Sequence, residues 1–553
     1  MRLRALAAAV LAAVLIVVVP APARAADVHV LPFDPVAVDD PEALLELYRE
    51  PTAAERALPV PSRCGAGAAD PVPDGQPIRV SMPPGPTFTV GSIPASWWRN
   101  PPSADPLWRL QFLGMMWVRP LAVRAARDDQ LKSLAVLAEQ IAAFHRQNPD
   151  PKTSTYGWDE GTALRRLESE NCLYAITRSV SLKQGMNADV AVLLSSRYYG
   201  PPYRPVHNHG LMANLQLFRA GVLLNKTTWQ SIAVQRLTSE APQAFSRLGT
   251  TWEQASAYQG TIAGLWGQAA VVLEERPGSE AAAASIRRTV AAARIVAQWM
   301  TDPDGKVVQI GDSDLIAGTP STLTEPGVFR DDQAGWVIGR WSWSDRATSH
   351  YTVRYGPPRR AHGHHDRAGG VTWSTRGVRV LVGPGRYTSD LKSAFYAYQV
   401  GPRGQNTAIP SGPAVGNGAA AVTASRLRSA AHNWTINDKV YGIAHTRGVY
   451  ATRDVPGLTV SDVFAGNPLW RQYWHLDQAW THVSGGANGN RLVFAHPTGR
   501  RLTITTTGLV SGVVRGIKQP VQGYNFPNYG IRYPAYEISI RSHGRASTTF
   551  VVS

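Results

Sequence analysis

Asp302-Pro303-Asp304-Gly305 marks the point at which the hydrophobic period of this sequence changes, and that change decides the architecture. On its N-terminal side, from about Asp105 to Met300, apolar residues recur three and four positions apart, as in Leu131-Leu134-Leu137-Ile141 and Ile286-Val290-Ala293-Val296. That spacing lines one face of a helix. Short breaks rich in proline, glycine and polar residues divide the stretch into roughly eight helices, which suits a toroid of helical hairpins better than a four-helix bundle. On its C-terminal side the period drops to two, in Tyr351-Val353-Tyr355, in Val378-Val380-Val382 and, after a turn at Gly499, in Leu502-Ile504. The segment from Tyr536 to Ser553 closes the chain in the same style. Such alternation is that of half-buried strands, so this half reads as an antiparallel β domain, a sandwich.

The expected chain is therefore α+β and multidomain: a helical (α/α) toroid over residues 97–303, a linker over 304–332 with a connecting loop at 317–327, and an antiparallel β-sandwich over 333–553. Residues 26–96, rich in proline and glycine, read as an irregular arm. Residues 1–25 read as a secretory leader. Met1-Arg2-Leu3-Arg4 is basic, Ala5 to Val19 is apolar, and Ala23-Arg24-Ala25 has the small-x-small pattern of a cleavage site. The apolar run is shorter than the roughly 20 residues of a membrane span. Cleavage after Ala25 would place the protein outside the cell, with no membrane attachment afterwards.

Cys64 and Cys172 are the only cysteines, and in an oxidising space they either pair or remain as two buried thiols. The net charge of +16 favours a polyanionic partner. No basic run interleaved with aromatics points to nucleic acid, and export favours an acidic glycan.

Three stretches carry candidate chemistry. Tyr203-Arg204-Pro205-Val206-His207-Asn208-His209-Gly210 precedes an apolar helix, Leu211 to Leu224, so Asn208 and His209 fall at a helix start, where backbone N–H groups and the dipole favour a carboxylate. The plain alternative is that Asn208 caps the helix and a histidine satisfies a loop carbonyl. Thr251-Trp252-Glu253-Gln254-Ala255-Ser256-Ala257-Tyr258-Gln259-Gly260 also precedes a helix; Tyr258 is either a reactive phenol or a core residue with its hydroxyl at the rim. Arg359-Arg360-Ala361-His362-Gly363-His364-His365-Asp366-Arg367 holds three histidines and an aspartate, which suit zinc or a polar turn. Strand alternation would put His362, His364 and Asp366 on one face.

Together these stretches resemble the heparinase II/III-like superfamily of polysaccharide lyases. The resemblance rests on Asn208-His209-Gly210 opening a helix, Tyr258 some fifty residues on, and His362-Gly363-His364-x-Asp366 opening the β domain. Lesser echoes are Trp158-Asp159-Glu160-Gly161-Thr162-Ala163-Leu164-Arg165, Gly311-Asp312-Ser313-Asp314 and Gly383-Pro384-Gly385-Arg386-Tyr387. The resemblance spans about Trp97 to Ser553.

It implies β-elimination of a 4-linked uronate. The proton on C5 is removed and the oxygen on C4 leaves, which needs a donor to neutralise the carboxylate, a base and an acid. Asn208 and His362 would hold the carboxylate, while His209 and Tyr258 would share proton abstraction and donation, the division depending on whether the leaving oxygen is syn or anti to the proton. Arg204, Arg386 and Tyr387 would contact the sugar. The reactive residues would then come from both halves and meet in a cleft.

This sequence departs from the family at the structural metal site. Gly383-Pro384-Gly385 stands where an Asp-Pro-Gly is common, and Gln405-Asn406-Thr407 stands where His-Asn-Thr is common. His364 would lose its co-ligands unless His475 compensates, so no tightly bound zinc and no cofactor are expected. Two competing readings are a glycoside hydrolase using carboxylates among Asp159, Glu160 and Glu253, and a glycan- or cell-wall-binding protein without catalysis.

Overall fold

A computed structural model describes residues 30–32, 64, 77–82, 85–152, 155–196, 198–199, 206–274, 276–453 and 457–553. The leader and its cleavage site, and Arg204, lie outside the described residues. The chain divides into two compact units: residues up to Ala244 with Gly264–Arg288, and Phe245–Ala263 with Thr289–Ser553.

Among the described residues nine helices run between Pro106 and Trp299. They are α1 (Pro106–Leu113), α2 (Val118–Arg127), α3 (Leu131–Gln147), α4 (Glu160–Thr177), α5 (Val180–Leu194), α6 (Asn208–Leu223), α7 (Thr227–Ala244), α8 (Ser256–Glu274) and α9 (Glu280–Trp299). The start of α1 is written locally: the Asp105 carboxylate accepts the Trp108 backbone N–H at 2.8 Å, and Pro106 fills the first helical position, where its missing N–H costs nothing.

In the first unit, sequence neighbours α2 and α3, α4 and α5, and α6 and α7 pack as hairpins. Alternate helices also touch, α2 with α4, α4 with α6, and α3 with α5. This is the two-layered packing expected of a helical toroid, and it explains why α4 is buried on most of its faces rather than on one stripe. Trp108 and Trp98 stack on Phe112 at 4.7 and 5.1 Å between ring centroids and fill the core beneath α1. The arm contributes short strands Val30–Pro32, Arg79–Ser81 and Phe88–Thr89, which form a three-stranded sheet. Cys64 and Cys172 are joined as a disulfide with Cα atoms 5.3 Å apart, so the pair left open by the sequence is closed, and it ties the arm to α4.

In the second unit a five-stranded antiparallel sheet runs in chain order through Gly327–Asp331, Trp336–Arg340, His350–Arg354, Gly370–Thr375 and Val378–Leu381. Its inner strands are buried on both faces. Val337, Tyr351 and Val353 join one core with Trp434, Val449, Trp474, Ile538 and Phe550, residues of an eight-stranded and a four-stranded sheet. Trp336 and Ile338 point the other way, into a core with Val296, Met300, Val308 and Ile310. Strands covered on one side only keep the alternation seen in the sequence, as Gly457–Phe464 does. Residues 318–326 carry no regular element, in keeping with the expected loop, although the first strand of the unit begins inside the stretch read as linker.

Candidate functional site

The Gly311-Asp312-Ser313-Asp314 turn organises the chemistry of the second unit. Gly311 has φ +65°, and a Cβ there would come within 2.7 Å of the carbonyl oxygens of Gln254 and His362, so only glycine lets the chain pass. The next three side chains diverge to three partners. Asp312 accepts from both histidines of the His-x-His pair, His362 Nδ1 at 3.2 Å and His364 Nε2 at 3.0 Å. Ser313 Oγ accepts the Ala257 backbone N–H at 3.0 Å and meets Ser256 Oγ at 3.0 Å, capping the first turn of α8, which carries Tyr258. Asp314 Oδ2 accepts from Arg386 Nη2 at 3.2 Å.

These contacts converge on Tyr258. Its ring stacks on His362 with centroids 3.8 Å apart and planes 15° from parallel, and its hydroxyl accepts from Arg386 Nη1 at 3.4 Å. Burial pushes the Tyr258 phenol well above its ordinary value, Arg386 opposes the rise, and the carboxylates of Asp312, Glu253 and Asp314 add to it. Tyr258 therefore holds its proton. Burial also favours protonating Asp312, but the hydrogen bonds and charge of His362 and His364 outweigh it and hold that carboxyl well below the usual range. A carboxylate only accepts, so His362 is protonated on Nδ1 and His364 on Nε2. Glu253 Oε2 lies 3.5 Å from His362 Nε2. Arg386 is buried and engaged by Asp314 and Tyr258, which places it behind the phenol. Tyr387 packs its ring on Phe395 and Phe526, at 5.0 and 5.3 Å.

The strand alternation expected for His362, His364 and Asp366 is not observed. Residues 361–366 form a turn entered through Ala361 at φ +40°, and the following strand starts only at Gly370. Both histidines nevertheless reach one partner because Asp312 presents an oxygen to each. Asp366 faces Arg354 instead, at 3.6 Å.

In the first unit, α6 opens where the sequence places it, but the cap is His207, whose Nδ1 accepts the His209 backbone N–H at 3.3 Å. Asn208 is thus the first helical residue and is buried, its side chain not the cap. His209 Nδ1 meets Glu160 Oε2 at 3.0 Å, at the first turn of α4. This contact fixes the ring and leaves Nε2 as the other functional nitrogen. Asp312 stands in the sequence only as part of a motif echo, and Glu160 only as such an echo and as a candidate carboxylate of the competing hydrolase reading; neither is marked there as a partner of the histidines. The signals that mark them are a glycine before an aspartate in a nonhelical turn, and a glutamate in the first turn of a helix. The structure brings Tyr258, His362 and Arg386 together in one unit and places Asn208 and His209 side by side in the other.

Residues 86–320 match the family model described as heparinase II/III N-terminus. Over that stretch the chain is similar to the N-terminal domain of heparinases II and III. A solved heparinase III is similar over 82% of this chain and 79% of its own, at 15% identity and a TM-score of 0.68. Another heparinase III gene product covers 84% and 82%, at 13% identity and 0.65. A heparan sulfate lyase mutant from Pedobacter heparinus covers 92% and 87%, at 15% identity and 0.63. At such identities the likeness is one of fold, a helical toroid followed by antiparallel β-sheets. No curated protein sequence matches the chain.

The structural zinc site of the superfamily does not fit the residues present. A Cβ at Gly383, where the aspartate ligand would stand, would lie 2.0 Å from the Gln309 carbonyl oxygen. Gln405 Nε2 sits 3.4 Å from His364 Nδ1 and donates to the Gln399 carbonyl at 2.7 Å. Both nitrogens of His364 are therefore taken, by Asp312 and by an amide donor. His475 does not take over, for its backbone N–H and Nδ1 meet Asn406 Oδ1 at 2.7 and 3.2 Å and its Nε2 faces Glu537 at 3.7 Å. Among the described residues, no group of three potential ligands contains His364 or His475.

Proposed function

We propose that the protein is a secreted polysaccharide lyase that cleaves a 4-linked, uronate-containing acidic glycan by β-elimination. The observation that carries this reading is the Tyr258 phenol, held protonated by burial, clamped between the His362 ring and the Arg386 guanidinium. Such a group is a proton donor for a departing sugar oxygen, and the guanidinium steadies the phenolate left behind.

In this reading His209 is the base. Its Nδ1 is held by Glu160, and Nε2 takes the proton from C5. The electron pair of the broken C5–H bond forms the C4=C5 double bond, the C4–O bond breaks, and the leaving oxygen takes the Tyr258 proton. Nothing is oxidised and no water is consumed. Solvent then returns the proton from His209 to Tyr258. Asn208 and His362 hold the uronate carboxylate and neutralise the charge that spreads onto it, with Asn208 helped by the N-terminus of α6. Arg386 acts through Tyr258, while Arg204 and Tyr387 are assigned to the sugar. The net charge of +16 agrees with a polyanionic substrate. A hydrolytic role for Glu160 is disfavoured by its commitment to His209.

The test is ultraviolet absorbance of products from a panel of acidic polysaccharides. Elimination leaves a conjugated unsaturated uronate, whereas hydrolysis or binding alone leaves none. A panel without any absorbing product would sink the reading. Secretion is checked separately by mass spectrometry of exported protein, which should begin near Ala26 and not at Met1.

A further inference from the structure

The two histidines of the His-x-His pair need something to fix their rings, and the residues that would build a zinc site for that purpose do not form one. We propose that Asp312 is the positioning residue that replaces the metal, a carboxylate bridge that orients His362 towards the substrate carboxylate and locks His364 behind it. The proposal rests on the elimination reading for its kinetic consequence, but the bridge itself does not.

Three observations carry it. The first is geometric: one carboxylate offers one oxygen to each ring, at 3.2 Å to His362 Nδ1 and 3.0 Å to His364 Nε2. Both contacts lie within ordinary hydrogen-bond distance, and both rings are buried. The second is complementarity. With His364 protonated on Nε2, its Nδ1 carries a lone pair, and the atom facing it is the Gln405 amide nitrogen, a donor. A histidine at 405 would have supplied a ligand; glutamine supplies the hydrogen bond that this tautomer requires. The third is that the turn is built for the purpose, since Gly311 admits no side chain and the Asp312 backbone N–H donates to the His362 carbonyl at 2.8 Å, closing a second link between the same residues.

The consequence for catalysis lies in His362. Protonation on Nδ1 towards Asp312 leaves Nε2 to interact with ligand, and the negative charge of Asp312 stabilises the ring when it carries a positive charge. A ring free to rotate would present the wrong nitrogen part of the time. Asp312 also stands one residue from Ser313, which caps the helix of Tyr258, and two from Asp314, which holds Arg386. One short turn thus sets the orientation of His362, Tyr258 and Arg386 without a metal ion.

The experiment compares the mature full-length parent with Asp312→Asn. Asparagine has the same shape but pairs one acceptor with one donor, so it serves one ring and repels the other. The expected result is a kcat lowered by about 10²–10³-fold with KM changed by less than about threefold. Zinc in the parent should be substoichiometric, a chelator should leave the parent rate unchanged, and added zinc should not rescue the variant. In the parent, histidine-labelled ¹⁵N spectra should show N–H on Nδ1 of His362 and Nε2 of His364. A variant with parental kcat, stoichiometric zinc whose removal abolishes activity, or the opposite tautomers would each overturn the proposal. If the parent eliminates no glycan, the elimination reading falls, and the tautomer and zinc measurements still decide the role of Asp312. They also decide it if the variant does not fold, because they need only the parent.

Discussion

Tyr258→Phe removes one oxygen from the centre of the proposed site and leaves the ring stacked on His362 at 3.8 Å. The hydroxyl accepts a long hydrogen bond, 3.4 Å from Arg386 Nη1, and that guanidinium keeps its contact with Asp314 at 3.2 Å. The structural cost is that of a typical buried hydrogen bond, about 1 kcal/mol, or a fall of about 2–4 °C in Tm for a unit of this size. The catalytic cost is of another order. A positioned general acid contributes about 10²–10⁴-fold, equivalent to about 3–5 kcal/mol of barrier. The disparity between the two effects makes the substitution informative. On a glycan that the parent eliminates, initial rates followed by the absorbance of the unsaturated product should fall by at least about 10²-fold while glycan binding stays within a few-fold. A variant retaining a tenth or more of the parent rate would show that Tyr258 does not donate the proton, and the stacking with His362 would then be only packing.

Asn208→Ala should lower kcat by about 10²–10³-fold and change KM little, measured in the same assay, because it removes a donor directed at charge that grows in the transition state. A second expectation concerns stability and pH in the first unit. Burial pushes the Glu170 carboxyl up to about 8 and Asp189 up to about 7, with Arg166 opposing both shifts. The Arg166 fork on Asp189 leaves Glu170 as the holder of the proton, facing His145 Nε2 at 2.8 Å. The unfolded values lie near about 4, so the folded state binds more protons between about pH 4 and 8, and stability is lost as pH rises through that window. Glu170→Gln should flatten the urea midpoint between pH 5 and pH 8; an unchanged slope would place its origin elsewhere. Asp312 has the opposite sign, since its depressed carboxyl contributes stability above about pH 4 that is lost on further acidification, and Asp312→Asn should reduce the acid sensitivity seen in pH-dependent melting. Reducing the Cys64–Cys172 disulfide, which spans 108 residues, should lower the stability of the first unit by about 2–4 kcal/mol, read as a drop in the urea midpoint.

What the sequence determined by itself follows from local physics. The change of period near Asp302 separates helices from strands because side-chain direction repeats every 3.6 residues in one and every two in the other. The start of α6 at Asn208 was legible in the same way, as were strands such as Val378–Leu381, whereas α8 opens at Ser256, inside the stretch read as preceding a helix, and so carries Tyr258 in its first turn. The order of the three motifs along the chain carries the resemblance to heparinases, and the family model matches residues 86–320. Tertiary structure alone decided the rest. α4 buries Arg166, Glu170 and Asn171, which read as polar surface in a sequence, because their partners come from other segments of the chain and no period of 3.6 reports a helix enclosed by others. The pairing of Cys64 with Cys172 needs two distant Cα atoms brought to 5.3 Å. Most of all, the histidine loop is no strand, and its two rings meet through Asp312, which lies about fifty residues earlier. That contact depends on left-handed backbone at Gly311 and Ala361, and a composition in which glycine and alanine are common does not announce it.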